Sequence, residues 1–393
     1  MKPAGPWLLR LLGLGVYCAA LACSGQMAGR QTPGGDTALP RLEFLGMAIL
    51  PAGLTLEGVP VGGLSGLAWD AADGSWWAIS DDPGTHGPPR RIRFEISLTN
   101  GRLERDGVRP RDQQFLREAD GSPAGPGILD AEDLALLPGG NFYLSSEGQV
   151  RQGIPPALRL YRRDGRLLED LPLPAALLDD GTGAHGIRPN TGPEGLALSP
   201  DGEALYVLVE NALLQDRNLR LGDNRSAARL LRWDRRDSRW SGAGVVPVDP
   251  LPARPDPPEG FADIGYTALL ALGEDDLLAL QRSYVEGHGN FVQLLHLNLR
   301  GAGDVHGFDR LDEVSPSGRR PASRRQLLDL AALEIPIDNL EGLALGPVLP
   351  GGARLLVLMS DDNFDPEGQI TQFLAFALGP APGSVRRPAS DPR

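Results

Sequence analysis

The stretch NTGPEGLALSPDGEALYVLVEN at 190–211 decides the fold, because altered copies of it recur along the chain. The unit opens on Glu194 and Gly195, runs through Leu196, Ala197 and Leu198, turns at Asp201 and Gly202, and returns through 205–209 to Glu210 and Asn211. Two short apolar runs joined by a turn containing Asp-Gly are a β-hairpin signature, since glycine supplies the positive φ of a tight turn. The copies are SGLAWDAADGSWWAISDD at 65–82, EDLALLPGGNFYLSSEG at 132–148, ALLALGEDDLLALQRS at 268–283 and EGLALGPVLPGGARLLVLMSDDN at 341–363. Aligned, they place Ser65, Glu132, Glu194, Ala268 and Glu341 in a first column, and Asp81, Glu147, Glu210, Arg282 and Asp361 in a last one.

A period of roughly 60 to 75 residues built from short strands is that of a β-propeller, in which no single repeat can bury its own faces. The expected fold is therefore all-β: a propeller of five four-stranded blades, with a sixth able to hide only in 99–128 or 301–328. A sandwich of unrelated hairpins is the competing architecture, and aligned copies argue against it. The strand at 42–50, LEFLGMAIL, has no hairpin partner of its own, and 369–378, QITQFLAFAL, is its expected neighbour. Such pairing of the two termini closes the ring and removes an exposed edge. Second hairpins are expected at 91–116, around Asp164 and Gly165, at 229–240 and near 291–300, with 309–325 as a surface loop.

Composition agrees. In 393 residues, 51 glycines and 36 prolines suit a turn-dense β protein, and no helical periodicity runs long enough to compete. A formal net charge of −13 disfavours nucleic acid and anionic membrane and favours cations. At the N-terminus, Lys2 and Arg10 precede an apolar run at 11–22 that is short for a membrane span and ends in small residues before Cys23. That is a secretory signal, so the protein is expected to be exported, to a bacterial periplasm or to an envelope membrane as a lipoprotein anchored through Cys23. Only Cys18 and Cys23 exist, and Cys18 falls inside the signal, so a thioether anchor accounts for the leftover thiol. The segment 23–41 reads as a flexible tether, 42–378 as the propeller domain and 379–393 as a tail without structure. A monomer is expected.

The ordered set of motifs SGLAWD…WWAISDD, DAEDLALLPGGNFYLSSEG, NTGPEGLALSPDG…LYVLVEN, LLALQRSY and DNLEGLAL…LLVLMSDDN resembles the family named for an esterase-like activity of phytase, across about 42–378. The resemblance implies an exported phytase-like β-propeller. One departure stands out: Gln281 and Arg282 occupy the fourth repeat where the family pattern tends to have Glu-Arg, which leaves the role of that pair open.

Because the last column ends the second strand of each blade, its residues should sit at one height around the ring. Asp81, Asp82, Glu147, Glu210, Asp361 and Asp362 would then surround one mouth of the central channel, with Asn211 and Asn363 beside them. Oxygen-only donors suit Ca²⁺ or Mg²⁺, and crowded carboxylates raise one another's pKa unless a cation sits among them. Arg282 is the one cation in the column and could clamp a phosphoryl oxygen. The first-column acids Glu132, Glu194 and Glu341, with Asp130 and Asp338 just before two of them, could be ligands, a general base or strand-bracing groups. His288 lies after Arg282 near the same mouth and is a candidate acid or base. No G-x-S-x-G elbow exists, so a serine esterase lacks its usual signature. Two functions follow: a metal-assisted phosphoester hydrolase using Ca²⁺, or a noncatalytic lipid-anchored propeller that binds a ligand or protein on its loop face.

Overall fold

The computed structural model describes residues 39–221 and 226–380; the expected signal, Cys23, most of the expected tether and most of the expected tail lie outside that range. Among the described residues the regular structure is β-strand with a few short 3-10 turns and no α-helix.

In chain order the first strand is β1 (Arg41–Ile49), followed by a minimal hairpin of β2 (Thr55–Leu56) and β3 (Val59–Pro60). Four meanders come next. They are β4 (Leu64–Trp69), β5 (Trp76–Ser80), β6 (Arg90–Thr99) and β7 (Arg102–Phe115); β8 (Ala131–Leu136), β9 (Phe142–Ser146), β10 (Ala157–Tyr161) and β11 (Leu167–Leu171); β12 (Pro193–Leu198), β13 (Ala204–Val209), β14 (Ser226–Asp234) and β15 (Arg239–Val248); and β16 (Ala262–Ala271), β17 (Asp276–Val285), β18 (Gly289–Asn298) and β19 (Ser323–Asp329). The last set, β20 (Leu340–Val348), β21 (Arg354–Ser360) and β22 (Gln372–Gly379), takes its fourth strand from the N-terminus: β1 pairs antiparallel with β22 from Arg41 opposite Gly379 to Ile49 opposite Gln372. That is the closure the terminal apolar runs call for. A single parallel contact, Gly46 opposite Leu103, joins this sheet to the first meander.

The inner strands β4, β8, β12, β16 and β20 touch in a closed cycle, so three four-stranded sheets and the two halves of an eight-stranded one, joined through β1 and β7, stand as blades around a channel. The segment 99–128 carries β7 and the loop after it, while 301–328 carries a long loop and the start of β19. Burial falls outward along each blade: β13 is buried throughout, whereas only the ends of β11 are. This gradient explains the repeated Gly-Leu-Ala-Leu of the inner strands, which have protein on both faces, against the alternating, charged outer strands.

The core is correspondingly divided. One apolar cluster fills each seam between neighbouring blades, with Leu205 and Val207 in one and Leu294 and Leu358 in another. Each buried Leu contributes about 1.5–3 kcal/mol by leaving water, so every seam is an independent source of stability. The tryptophans serve this packing: Trp76 and Trp233 are buried, and Trp77 covers the Arg91 guanidinium at 4.0 Å.

Candidate active site and metal centre

Strand register fixes the height of the last column. The backbone N–H of Asp81 donates to the Gly63 carbonyl at 2.8 Å, that of Glu147 to Asp130 at 3.1 Å, that of Glu210 to Gly192 at 2.9 Å and that of Asp361 to Asn339 at 2.9 Å. Arg282 stands opposite Gly265 in the same relation. Where the chain crosses from one blade to the next, close approach demands glycine: a Cβ on Gly192 would lie 2.3 Å from the Glu147 Cβ, and one on Gly265 would lie 2.3 Å from the Glu210 Cγ.

The first column has a physical basis that the sequence pattern did not expose. Every inner strand breaks register there, across 64–67, 131–134, 193–195, 266–268 and 340–342. These are β-bulges, which re-aim a side chain out of the alternating pattern. They turn Glu132, Glu194 and Glu341 into the channel. The fourth member is Thr267 and not Ala268, because the register shift falls between Tyr266 and Ala268. Thr267 donates its hydroxyl to the Leu340 carbonyl at 3.0 Å and bridges two blades. In the second repeat Asp133 stands where others carry glycine, and it accepts the Leu196 N–H of the next blade at 2.7 Å.

The channel opens as a polar cavity of about 1080 Å³ lined by Asp81, Glu147, Glu210 and Asp361 together with Glu132, Glu194 and Glu341. Asp130 and Asp338 line it as well, as do Asp263, Tyr284, Asn290 and three arginines, Arg151, Arg188 and Arg282. Burial dominates the acids' electrostatics. It pushes the Asp81 carboxyl up to about 8, helped by the charges of Glu341 and Asp130, and Glu147 also to about 8, with Asp130 the main neighbour. Asp130 rises to about 6. Burial holds Glu132, Glu194, Glu210 and Asp361 well above the carboxylate range, and one neighbouring acid adds most to it: Glu194 for Glu132, Glu210 for Glu194, Asp263 for Glu210 and Asp81 for Asp361. Burial also raises Glu341, against the opposing pull of Arg282, whose Nη2 lies 3.4 Å from its carboxylate, and of Asn339, which donates to it at 2.9 Å.

Asp130, Glu132 and Glu147 each place a carboxylate oxygen within 4.8 Å of the other two, an arrangement that could hold a metal ion. The donor set is oxygen alone, which fits a hard divalent cation and not a thiophilic one.

Three sequence candidates fall elsewhere. Asp82 does not line the cavity; its carboxylate faces the loop 84–90, where it pairs with Arg90 at 3.0 Å and accepts the N–H groups of Gly84, Thr85 and His86. Asp362 is likewise committed to structure, accepting from Gly63 N–H at 2.9 Å and the Thr371 hydroxyl at 2.8 Å. In both Asp-Asp pairs, which follow the last residues of β5 and β21, the first residue lines the cavity and the second does not. His288 sits exposed at the turn between β17 and β18 and does not line the cavity, although Tyr284 and Asn290 on either side do. Gln281 is buried beside Asp249 and Arg324, where it accepts from Arg324 at 3.0 Å, so the departure from Glu-Arg lies outside the cavity lining.

Asp263, Arg151 and Arg188 are cavity residues that pattern reading missed. Aligning the fourth repeat on Ala268 hid the longer β16, which begins at Ala262 and carries Asp263 beside Glu210. The arginines lie in loops outside the repeated motif and left no signal there.

The family model described as phytase-like, esterase-like activity of phytase, matches residues 59–364. No curated protein matches the sequence. Among solved structures, the chain is similar to a gluconolactonase from Xanthomonas campestris at 12% identity, covering 88% of this chain and 93% of that one with a TM-score of 0.33. It is similar to an exo-1,5-α-L-arabinanase from a bovine ruminal metagenomic library at 11% identity, covering 80% and 92% with a TM-score of 0.37. A mannose phosphorylase from Leishmania mexicana is similar at 9% identity, covering 85% and 88% with a TM-score of 0.38.

Proposed function

This chain belongs to the phytase-like family described by the esterase-like activity of phytase, and from that premise we propose that it is a cation-assisted hydrolase of phosphate esters, exported and anchored through Cys23, working in the acid-lined cavity. The observation that carries the reading is the convergence of Asp130, Glu132 and Glu147 from one blade on a shared point inside that cavity. Carboxylates crowded and desolvated to this degree keep their protons near neutral pH unless a cation joins them. A hard divalent cation such as Ca²⁺, held by these three groups, supplies charge neutralisation and Lewis acidity towards a phosphoryl oxygen.

The remaining work falls to the protein's own groups. Glu194 and Glu210, held well above the carboxylate range, keep a proton that either can deliver to a departing alkoxide oxygen. Glu341 is the better base, because the adjacent Arg282 favours its charged form. Arg282 balances this cluster more than it reaches for substrate. With three arginines and no lysine in the lining, the cavity suits a substrate with one or two phosphoryl groups better than one as densely charged as phytate.

Phosphate release by the purified mature protein from an aryl phosphate and from phytate, across a calcium titration with a chelated control, tests the reading. The expected result is calcium-dependent turnover, greater on the aryl phosphate, and lost in Glu147→Gln. Calcium binding without turnover on any ester would replace it with the noncatalytic ligand-binding propeller.

A further inference from the structure

Arg282 is the cation that strand pattern nominates for gripping an anion, yet it stands inside a nest of carboxylates with Glu341 3.4 Å from its Nη2. A guanidinium already matched by buried acids has little positive field left for a substrate. Arg188 is different. It lies in the loop before β12, half-buried, and lines the same cavity. Its Nε, like that of Arg282, is buried with no hydrogen-bond partner among the described residues, but Arg188 lacks the carboxylate partner that Arg282 has in Glu341. No ion pair to Arg188 is found there either, although carboxylates crowd the cavity wall.

The backbone that carries Arg188 is fixed. Ile187 is buried in the seam between the second and third blades, the Thr191 hydroxyl donates to the Arg188 carbonyl at 3.1 Å, and the Gly192 N–H donates to the Glu147 carboxylate at 3.2 Å. The loop is thus tied to one member of the acidic trio, so Arg188 flanks the candidate cation site. Arg151 lines the same cavity from the 3-10 turn 150–152 that follows Glu147.

We propose that Arg188 is the anion-binding arm of this cavity, with Arg151 at its rim, and that the pair receives the phosphoryl oxygens of the substrate beside the cation held by the acidic trio. The substrate class rests on the hydrolase reading above; the anion site itself does not. An unsatisfied buried N–H is costly, and an oxyanion restores its missing bond. The Nε and one Nη of a guanidinium offer two parallel donors that match two oxygens of a phosphoryl group. Such a charge-assisted contact makes the difference between a cavity that collects cations and one that holds a cation and an anion together.

The test uses inorganic phosphate as the probe, titrated calorimetrically into the mature protein at saturating calcium, with Arg188→Gln, Arg188→Lys and Arg151→Gln. Arg188→Gln should weaken phosphate binding about tenfold or more, Arg188→Lys less, and Arg151→Gln two- to threefold. Terbium luminescence from the acidic trio and the unfolding midpoint, both unchanged in Arg188→Gln, exclude a collapsed site as the cause. On an aryl phosphate, Arg188→Gln should raise KM about tenfold, with no such rise on a neutral aryl acetate. Phosphate binding to Arg188→Gln as tightly as to the wild type, or no phosphate binding by the calcium-loaded wild type, overturns the proposal. Arg188-dependent phosphate binding without any ester turnover upholds the anion site while removing the hydrolase.

Discussion

Asp81 and Asp82 are adjacent in sequence and opposite in chemistry. Asp81 faces the cavity, where burial and the neighbouring Glu341 and Asp130 push its carboxyl up to about 8. Asp82 turns the other way; burial opposes its charge too, but Arg90 and the N–H groups of His86 and Thr85 outweigh it and bring the carboxyl below its ordinary value. The same division separates Asp361, raised well above the usual range, from Asp362, which accepts the Gly63 and Phe364 N–H groups and the Thr371 hydroxyl. Asp82 and Asp361 are buried, and Asp81 and Asp362 are half-buried. What differs is the supply of donors, one N–H from Asn363 for Asp361 against several for Asp82 and Asp362, and an acid left short of them remains available to a cation or a proton.

The contrast breaks most visibly at Arg90. Replacing it by alanine leaves the Asp82 charge buried and uncompensated, and should destabilise the protein by about 3–5 kcal/mol in urea unfolding. A loss below about 1 kcal/mol would mean that the loop N–H groups alone hold Asp82 and that the ion pair is not what distinguishes it from Asp81.

A second expectation concerns pH. Asp81 binds its proton more tightly folded than unfolded, so without a cation the penalty is absent below its unfolded value near 4, grows as pH rises and is complete above about 8. Chelated protein should therefore lose stability progressively from pH 4 to 8, with Asp81 among the groups responsible. Asp81→Asn should flatten the curve and saturating calcium should do the same. A pH-independent midpoint in the chelated protein would contradict the assignment.

Smaller in energy, but sharper in assignment, is a pair of calcium affinities. Glu147→Gln should weaken calcium binding at least about tenfold, or ~1.4 kcal/mol, while Asp362→Asn should leave it within about twofold. Equal losses would place Asp362 among the ligands after all. The smallest effect is expected at His288: His288→Ala should change stability by less than about 0.5 kcal/mol and leave turnover unaltered, as for an exposed turn residue. A collapse in kcat would return it to the site.

The last column was readable because it rides on a repeat: each member ends a strand whose partner, turn and apolar run are visible in 190–211 and its copies. The first column was readable except at its fourth member, where Ala268 stands in place of the glycine of the first, third and fifth repeats and the bulge residue Thr267 carries no acid. Asp263 was hidden because β16 begins six residues before the Ala268 on which its repeat aligns, and Arg151 and Arg188 were not readable at all, since loop residues enter the cavity through blade-to-blade geometry and not through any periodicity.

By itself the sequence determined the propeller, its closure by the terminal strands and the common height of Asp81, Glu147, Glu210, Arg282 and Asp361, because strand alternation and turn chemistry act over a few residues and repeat with the chain. Only the tertiary structure decided which acids line the cavity, that Asp82 and Asp362 are tied to Arg90, Gly63 and Thr371, and that Asp130, Glu132 and Glu147 meet at one point. Those outcomes depend on contacts between residues tens to hundreds of positions apart, brought together by β-bulges and seam packing, and burial and partnering at that range set the chemistry of a carboxylate.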